Sequence, residues 1–330
     1  MHPLFTFIRK KAKEKLRTVV ICEGWDERVL KATAKLLKEK LCRIILLGDE
    51  KIIKEKMKTA GVKFDAEIIN PKTAKQKKDL AHALYERRKS KGMTPEEANK
   101  LIEDVNYFGA TMVLKGLADG MSGSCICSTA ELMRPALQVL GTAEGSNLVS
   151  EVAIMHDTKK DRLFFVSDCS LNVDPTPEQL AQIALNAAEC ARYFHYTPKI
   201  ALLSFSTKGS GEHPILAPLR KTLEMVKQRN QKLLIDGEMQ VDAAVNPDAA
   251  RRKCPDSPLK GGANILIFPN LSVGNIFCHA LLQFSEMEFL FSMLMGIKKP
   301  VTIMGRSVDA EHIERCILLT AAQANMMDNV

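Results

Sequence analysis

Residues 18–49 read TVVICEGWDERVLKATAKLLKEKLCRIILLGD, and this stretch decides the fold class. The apolar run Thr18–Cys22 predicts a buried strand, and Asp26–Lys40 has the periodicity of an amphipathic helix. Arg43–Leu47 predicts a second strand, and another helix is expected from Asp49. Strands that alternate with helices in this way form parallel sheets with helices on both faces. The chain is therefore predicted to be an α/β protein.

The alternation continues along the chain and breaks once. A Lys-rich helix is predicted over Thr73–Lys89, and Pro95 begins a further helix that Thr94 caps. Leu148–Met155 and Arg162–Asp168 are largely apolar runs joined by a polar turn, which indicates a β-hairpin and a domain boundary near residue 145. The later predicted elements are helix Pro177–Phe194, strand Lys199–Ser204, helix Ile215–Gln228, strand Ala263–Phe268, strand Val301–Met304 and helix Asp309–Ala322.

Composition narrows the class of protein. A chain of 330 residues predicts two domains, and 46% apolar residues are enough for sizeable cores. No apolar run has the length of a membrane-spanning helix, and no apolar segment with a cleavage site follows the first residues, so a cytoplasmic location is expected. The nine cysteines form no Cys-x-x-Cys, which argues against a disulfide framework and against structural zinc.

The net charge of +8 is unevenly distributed. Residues 1–100 carry 26 Lys and Arg against 14 Asp and Glu, whereas the remainder carries 21 against 25. Nucleic acid is not the expected partner, because aromatic residues make up only 5% of the chain and supply no stacking platform. The basic residues are interpreted as solvated helix faces that also attract an anionic ligand.

Three segments combine a preceding strand, hydroxyl or glycine residues, a basic side chain and a following helix. They are Ser204–Gly211 with Lys208, Gly120–Arg134 with Ser128 and Thr129, and Gly305-Arg306-Ser307 before the predicted N-cap Asp309. Such loops bind phosphate through backbone N–H groups at helix N-termini, and arginine adds bidentate contacts. Polar turns and helix caps explain the same residue types, so the residues alone leave both interpretations open.

Short ordered motifs extend through nearly the whole chain. They are Glu23–Arg28, Asn106–Gly109, Lys115–Gly120, Ser128–Ala130, Arg134–Gln138, Ser204–Ser210, Asp236–Glu238, Gln240, Asp242–Ala244, Pro255–Ser257 and Gly274–Ile276. Together they resemble the phosphate acetyltransferase (phosphotransacetylase) and phosphate butyryltransferase family, the acetyl branch most closely.

The resemblance implies two α/β lobes with parallel and mixed sheets, of the isocitrate/isopropylmalate dehydrogenase type. The first lobe would comprise residues 1–145 with 300–330, and the second residues 146–299. A homodimer and an active site in the cleft between lobes are also implied. The implied reaction converts acetyl-CoA and phosphate reversibly into CoA and acetyl phosphate by direct thiolate attack on the acyl phosphate. No metal and no cofactor are implied, because CoA and acetyl-CoA are substrates.

The same resemblance implies the site residues. The anion-binding arginines of the family correspond to Arg88, Arg134 and Arg306, and its hydroxyl-bearing loops to Ser128, Thr129, Ser206 and Thr207, with Lys208 beside them. The chain departs from the family pattern in the run Ser122–Ile126, at Phe277–His279 and at three further positions. Gly305 stands where the family has Ser, His312 where it has a catalytic Asp, and Cys127 where it has His.

These departures leave the base undecided. A thiol with a pKa near 8.5 needs a base or a positive field to attack an acyl phosphate. His312 is the predicted base, and Ser307 is predicted to replace part of the missing hydroxyl function. The leading hypothesis is thus an active phosphate acetyltransferase with a rearranged base. The alternatives are an impaired homologue that binds CoA or phosphate esters as a sensor, and an enzyme for a longer acyl chain.

Overall fold

The computed structural model describes residues 2–328, and the chain divides into two compact units. The N-terminal unit joins residues 2–144 to residues 297–328, whereas the middle unit spans Gly145–Gly296. Each unit has one sheet, and all the candidate site residues named above lie in the described part of the chain.

The sheet of the N-terminal unit has five strands in the order β11-β4-β1-β2-β3, and every neighbouring pair is parallel. The strands are β1 (Thr18–Ile21), β2 (Arg43–Leu47), β3 (Glu67–Ile69), β4 (Gly120–Gly123) and β11 (Val301–Ile303). The helices are α1 (Pro3–Glu14), α2 (Glu27–Lys38), α3 (Glu50–Thr59), α4 (Lys77–Arg88), α5 (Pro95–Leu101), α6 (Val105–Leu114), α7 (Thr129–Val139) and α13 (Ala310–Met327).

The fold-deciding stretch forms the predicted unit with small shifts at its ends. The predicted strand over Arg43–Leu47 is confirmed without change as β2. Helix α2 begins at Glu27 because Asp26 is its N-cap, and the Asp26 carboxylate accepts hydrogen bonds from the backbone N–H groups of Arg28 and Val29. The predicted cap Thr94 is confirmed too, in a reciprocal capping box with Glu97 at the start of α5.

The C-terminal helix α13 is an integral part of the N-terminal unit. It packs against α1, α2 and β4, and nearly all its residues from Ile313 to Met326 are buried. Strand β4, with the sequence GMSG, lies next to it and has none of the β-branched or aromatic residues that are typical of strands. A Cβ on Gly120 would lie 2.6 Å from Cγ2 of Thr320, so close packing of α13 requires glycine there.

The sheet of the middle unit is mixed and has six strands in the order β10-β5-β6-β9-β7-β8. The predicted hairpin is confirmed as the antiparallel pair β5–β6, and β10 pairs antiparallel with β5, while the remaining pairs are parallel. The strands are β5 (Ser150–Asp157), β6 (Arg162–Ser167), β7 (Lys199–Leu203), β8 (Leu234–Met239), β9 (Ile265–Ile267) and β10 (Met287–Met295). The helices are α8 (Pro177–Tyr193), α9 (Ala217–Arg229), α10 (Val241–Val245), α11 (Pro247–Lys253) and α12 (Leu271–Phe284).

Three predicted helix boundaries were wrong by several residues. The helix expected over Thr73–Lys89 begins only at Lys77, because the residues before it form turns. The helix expected from Ile215 begins as a 3₁₀ turn over Pro214–Leu216 and becomes α-helical at Ala217. The last helix continues past Ala322 to Met327, because apolar and small residues keep its buried face continuous.

Two expectations about the whole chain are met in the described residues. All nine cysteines lie there and are free thiols. Among residues 2–328, no helix combines the length and the apolar character needed to cross a membrane.

Candidate active site

The neighbouring strands β1, β4 and β11 of the N-terminal unit end at the same edge of their sheet. The loops that follow them are residues 22–26, 124–128 and 304–309. A hydrogen bond of 2.8 Å from Met304 N–H to the Gly123 carbonyl holds two of these loops side by side. Ligands of parallel α/β sheets bind beyond this edge, where helix N-termini expose N–H groups. This edge is therefore the candidate active site.

Helix α7 begins at this edge, and its first residues carry two of the predicted hydroxyls. Ser128 is the N-cap, which confirms one of its two predicted roles. Its Oγ donates to Glu131 Oε2 at 2.7 Å and accepts from the Glu131 N–H at 3.3 Å. Ser128 therefore works as a helix cap in this structure, while Thr129 is the first helical residue and is half-buried.

The three predicted arginines share neighbours in the N-terminal unit. Hydrogen bonds from Ser128 lower the pKa of the exposed Glu131 carboxyl, and the charges of Arg134 and Arg306 act in the same direction. Burial raises the pKa of Tyr107, while the charges of Arg134 and Arg88 oppose that rise. Arg134 thus acts on both groups, sharing Glu131 with Arg306 and Tyr107 with Arg88.

Arg88 has an additional feature that the other two arginines lack. Its Nε is buried and has no hydrogen-bond partner among residues 2–328. An unpaired buried donor is costly unless a ligand or water satisfies it. Arg134 and Arg306 are exposed at the surface of the unit. The three guanidinium groups are thus available to an anion, although their individual roles stay predictions.

The loop between β11 and α13 contains Gly305, Arg306 and Ser307. Gly305 has a φ of +85°, in the left-handed region that side chains rarely adopt. Gly305, where the resemblance places a serine of the family, therefore has a backbone conformation that favours glycine. Arg306 and Ser307 both have exposed side chains, so a catalytic role for either one is sterically open.

His312 lies on the first turn of α13, three residues after the N-cap Asp309. The Asp309 carboxylate accepts a hydrogen bond of 2.8 Å from the His312 backbone N–H. Burial lowers the pKa of the His312 imidazole, and the charge of Arg315 lowers it further. The ring is consequently neutral at pH 7, which is the state a general base requires.

Glu23 shapes the loop after β4, and sequence reasoning assigned it no role. Its carboxylate accepts three backbone N–H groups, from Cys125 at 2.6 Å, Ile126 at 3.0 Å and Cys127 at 2.6 Å. Glu23 itself is 2% exposed. The sequence does give one indication of this role, because Glu23 is a charged residue directly after the predicted strand Thr18–Cys22. The sequence analysis used Glu23 only as part of a family motif.

The same carboxylate acts on Cys127, the residue at which the resemblance places a histidine of the family. Burial and the Glu23 charge raise the pKa of the Cys127 thiol to about 12. The thiol therefore stays protonated at neutral pH and is a poor nucleophile or base.

The loop after β7 in the middle unit contains Ser206, Thr207 and Lys208. Ser206 and Thr207 are 1% and 3% exposed, and their hydroxyls bond to Glu238 and Gln240 at 3.3 Å. The Gly209 N–H donates to Glu238 Oε1 at 2.9 Å. Carboxylate and amide oxygens of β8 and the residue after it thus occupy much of the donor capacity that the sequence assigned to a phosphate.

Lys208 is engaged as well. Its ammonium group contacts Asp236 Oδ1 at 2.5 Å, and this carboxylate is 1% exposed. Asp236 Oδ2 is buried without a hydrogen-bond partner among the described residues. Lys208 therefore compensates a buried charge, so a phosphate role for this loop stays a prediction that requires an exchange of partners.

An apolar cavity of about 320 Å³ lies next to the same loop within the middle unit. Ser204 and Asn270 are its polar lining residues. The apolar lining residues are Leu203, Phe205, Ile215, Leu219, Val241, Phe268, Pro269, Val273 and Phe277. Such a lining suits an aliphatic chain better than an anion.

Fold and candidate site together define an α/β protein with the predicted arginines in the unit that carries a parallel sheet. Comparison with known proteins narrows this class. A family model described as "Phosphate acetyl/butaryl transferase" matches residues 4–321. The chain belongs to that phosphate acetyltransferase and butyryltransferase family, as the sequence motifs predicted.

Individual relatives agree with the family model. The chain is 38% identical over 325 residues to a phosphate acetyltransferase of Bacillus subtilis (strain 168), covering 98% of this chain and 100% of the relative. A crystal structure of a phosphotransacetylase from Streptococcus pyogenes is 40% identical, with a TM-score of 0.93 and 98% of each chain covered. These likenesses confirm the predicted enzyme class, phosphate acetyltransferase, and do not favour the alternatives.

A more distant structure bears on the fold alone. A Salmonella typhimurium protein designated a 4-hydroxythreonine-4-phosphate dehydrogenase is 11% identical, with a TM-score of 0.51, covering 95% of this chain and 100% of that chain. Similarity at this level reports architecture without function. The predicted dehydrogenase-like fold class is confirmed.

Proposed function

We propose that this chain catalyses the reversible transfer of an acetyl group between CoA and phosphate, giving acetyl phosphate and CoA from acetyl-CoA and phosphate. The observation that carries the proposal is the set of three arginines around Tyr107 and Glu131, one of which has an unpaired buried donor. Both substrates are anionic, and the relatives named above are phosphate acetyltransferases. The proposed reaction draws on side chains and the two substrates, with no metal and no resident cofactor.

In this proposal, Arg306 stabilises the negative charge that develops on the acyl oxygen and the phosphate during thiolate attack. Arg88 and Arg134 bind the phosphate groups of the substrates, since guanidinium groups make paired hydrogen bonds to phosphate oxygens. Thr129 adds a polar contact at the N-terminus of α7, where the helix dipole favours an anion. The Ser128 hydroxyl would join it by exchanging Glu131 for the substrate.

The proposed base is His312. Its lowered pKa keeps the imidazole neutral at pH 7, so it can accept the thiol proton of CoA while the sulfur attacks the acetyl carbon. The carbon–oxygen bond to phosphate then breaks, and the electron pair leaves with the phosphate oxygen. Ser307 is proposed to donate a hydrogen bond at the position next to Arg306.

Ser206, Thr207 and Lys208 are proposed as a second group of substrate contacts. Lys208 would have to exchange Asp236 for a substrate phosphate, and its partly exposed side chain supports such an exchange. Lys208→Ala should therefore raise KM by several-fold with a smaller effect on kcat. An unchanged KM for both CoA and phosphate would remove this loop from the proposal.

The decisive assay measures acetyl phosphate formation from acetyl-CoA and phosphate by the release of free thiol, between pH 6 and pH 9. Wild-type turnover is expected, and Arg306→Ala should lower kcat by on the order of 10²–10³. Arg43→Ala is the matched control, because Arg43 is an exposed arginine of the same unit, and its side chain bonds to Thr18 and Leu16, away from the candidate site. No turnover by folded wild-type protein at any of these pH values would overturn the proposal.

The same assay separates the alternatives. Acetyl-CoA is expected to give a higher kcat/KM than propionyl-CoA or butyryl-CoA, and a reversed order would assign a longer acyl chain. CoA binding by calorimetry without turnover would indicate a binding protein in place of an enzyme.

We further propose a homodimer that uses the exposed apolar face of α12. Phe284 at the end of this helix is 89% exposed and Ile276 is 68% exposed, which is unusual for a soluble surface. Phe284→Asp should convert the dimer into a monomer in size-exclusion chromatography with light scattering, while Leu16→Asp, at an exposed apolar residue of the N-terminal unit, should not. A monomeric wild type would overturn this assembly.

The cytoplasmic location expected from the sequence stays a prediction.

A further inference from the structure

Arg28 lies at the candidate active site as the second residue of α2, and its side chain contacts acceptors within the protein. Its Nη1 donates to the Arg306 carbonyl at 2.8 Å and to the Val308 carbonyl at 2.9 Å. Its Nη2 donates to the Cys125 carbonyl at 2.9 Å. One guanidinium group thus connects the loop after β11 with the loop after β4.

The remaining donors of Arg28 belong to Asp26. Nε contacts Asp26 Oδ1 at 3.1 Å, and Nη2 contacts Asp26 Oδ2 at 2.9 Å. A guanidinium group has five N–H donors, and these five contacts employ all of them. Hydrogen bonds to Asp26 raise the pKa of Arg28, so the pair is a compensated ion pair. Arg28 therefore has neither a spare donor nor an uncompensated charge for a substrate, unlike Arg134 and Arg306.

The loop after β4 is held from a second side by Glu23, whose carboxylate accepts the N–H groups of residues 125–127. Glu23 holds the amides of this loop, whereas Arg28 holds one of its carbonyls and two carbonyls of the Arg306 loop. Glu23 lies in the connection between β1 and α2, and Arg28 lies in the first turn of α2. A short segment of chain thus fixes the geometry of two loops that carry site residues.

We propose that Arg28 is a positioning residue for the acetyl transfer reaction, one that fixes the backbone of Arg306 relative to the N-terminus of α7. The catalytic consequence rests on the proposed function. A displacement of about 1 Å at a reacting group costs on the order of a hundredfold in rate. Loss of Arg28 leaves three carbonyls without their donor and frees the Arg306 loop to move.

The kinetic test compares Arg28→Ala and Arg28→Lys with the control Arg43→Ala. Arg28→Ala should lower kcat by about 10–100-fold, while KM for CoA changes by less than about threefold. Arg28→Lys should remain impaired by about tenfold, because one ammonium group cannot serve carbonyls on two loops and Asp26 together. Guanidinium ion at a non-denaturing concentration should restore part of the activity of Arg28→Ala. A raised KM with an unchanged kcat would show that Arg28 binds substrate, and a kcat equal to that of Arg43→Ala would overturn the proposal.

A second measurement is independent of turnover. Hydrogen–deuterium exchange of residues 124–128 and 304–312 should become faster by about tenfold in Arg28→Ala, whereas exchange of β2 should not change. Arg43→Ala should leave all three segments as in the wild type. If the wild-type chain had no activity, the proposed function would fail while this measurement still decided whether Arg28 holds the two loops. Equal exchange in all three proteins would remove the positioning role.

Discussion

The sulfur atoms of Cys169 and Cys278 lie 3.3 Å apart in the middle unit. Cys169 is buried after β6, and Cys278 is half-buried on α12. The Cys278 sulfur and burial raise the pKa of the Cys169 thiol well above its usual range. Cys278 is the more exposed of the two, so it is the thiol that oxidant reaches first. A modest approach of the two sulfurs is enough to form a disulfide.

We expect hydrogen peroxide to oxidise this pair to an intrachain disulfide, with the release of two water molecules for each peroxide consumed. Peptide mapping by mass spectrometry under non-reducing conditions should detect the cross-link in the wild type and lose it in Cys278→Ser. Cys190→Ser, at a buried cysteine elsewhere in the same unit, should keep it. Oxidation at other cysteines with this pair left reduced would contradict the expectation.

Arg17 connects the start of β1 to the C-terminal helix. It is 6% exposed, its Nε donates to Asn325 Oδ1 at 2.5 Å, and its Nη1 donates to Asp119 Oδ1 at 2.9 Å. Arg17→Ala should lower the free energy of unfolding by about 2 kcal/mol, because it removes the Arg17 donor from the buried Asn325 and from the half-buried Asp119. Urea denaturation measures this loss. The exposed pair of Lys15 with Asp328 supplies the control, since Lys15→Ala should cost less than about 1 kcal/mol.

Glu238 is predicted to make stability depend on pH. Burial alone would raise its pKa, but hydrogen bonds from Arg220 and the Gly209 N–H outweigh burial and lower the pKa of Glu238 to about 2. An unfolded glutamate has a pKa near 4.3. A depressed carboxyl pKa stabilises the fold above the unfolded value, and this contribution is lost as the pH falls from about 4.3 toward 2.

Glu238→Gln should therefore lower Tm clearly at pH 7, and its difference from the wild type should shrink as the pH falls through that window. Glu212→Gln is the control, because Glu212 pairs with the same Arg220 but is exposed. A difference that is constant with pH would show that the effect is steric.

His312 should determine the acid limb of the pH–rate profile. Its pKa is lowered, so kcat should fall with an apparent pKa below the ordinary 6.5 as the imidazole becomes protonated. His312→Ala should lower kcat by about 10²–10⁴. His312→Asp should recover part of this loss and move the limb to lower pH. A kcat of His312→Ala within about threefold of the wild type would assign the proton to another group.

Substitutions of Gly305 test whether a serine at this position, as the family resemblance implies, would change stability or kcat. Its φ of +85° is unfavourable for any side chain, so Gly305→Ala and Gly305→Ser should each lower the free energy of unfolding by about 1–2 kcal/mol. Thermal unfolding measures the two losses, which should be equal. A higher kcat in Gly305→Ser than in Gly305→Ala would identify a functional hydroxyl at this position.

Local sequence was sufficient to predict those elements whose defining residues lie within the element or within a few residues of its end. Arg43–Leu47 is a continuous apolar strand, and Asp26, Thr94 and Ser128 cap helices through contacts within a few residues. Strand β4 escaped notice because its small residues reflect contact with α13, some 200 residues later in the chain. The predicted phosphate role of the loop after β7 did not take account of Asp236 and Glu238, which accept hydrogen bonds from Lys208 and Gly209 of that loop. About thirty residues separate the loop from these two acceptors, so local sequence did not reveal the contacts.

The sequence by itself determined the α/β class and the hairpin, because those depend on residue order and local periodicity. The family and the candidate arginines followed from motifs that resemble a known family. The tertiary structure alone decided which groups share neighbours. Arg28 and Glu23 hold two loops only because β1, β4 and β11 lie side by side although residues 21, 123 and 303 are far apart in the chain. Hydrogen bonds act over about 3 Å, so their partners are set by sheet order and not by sequence spacing.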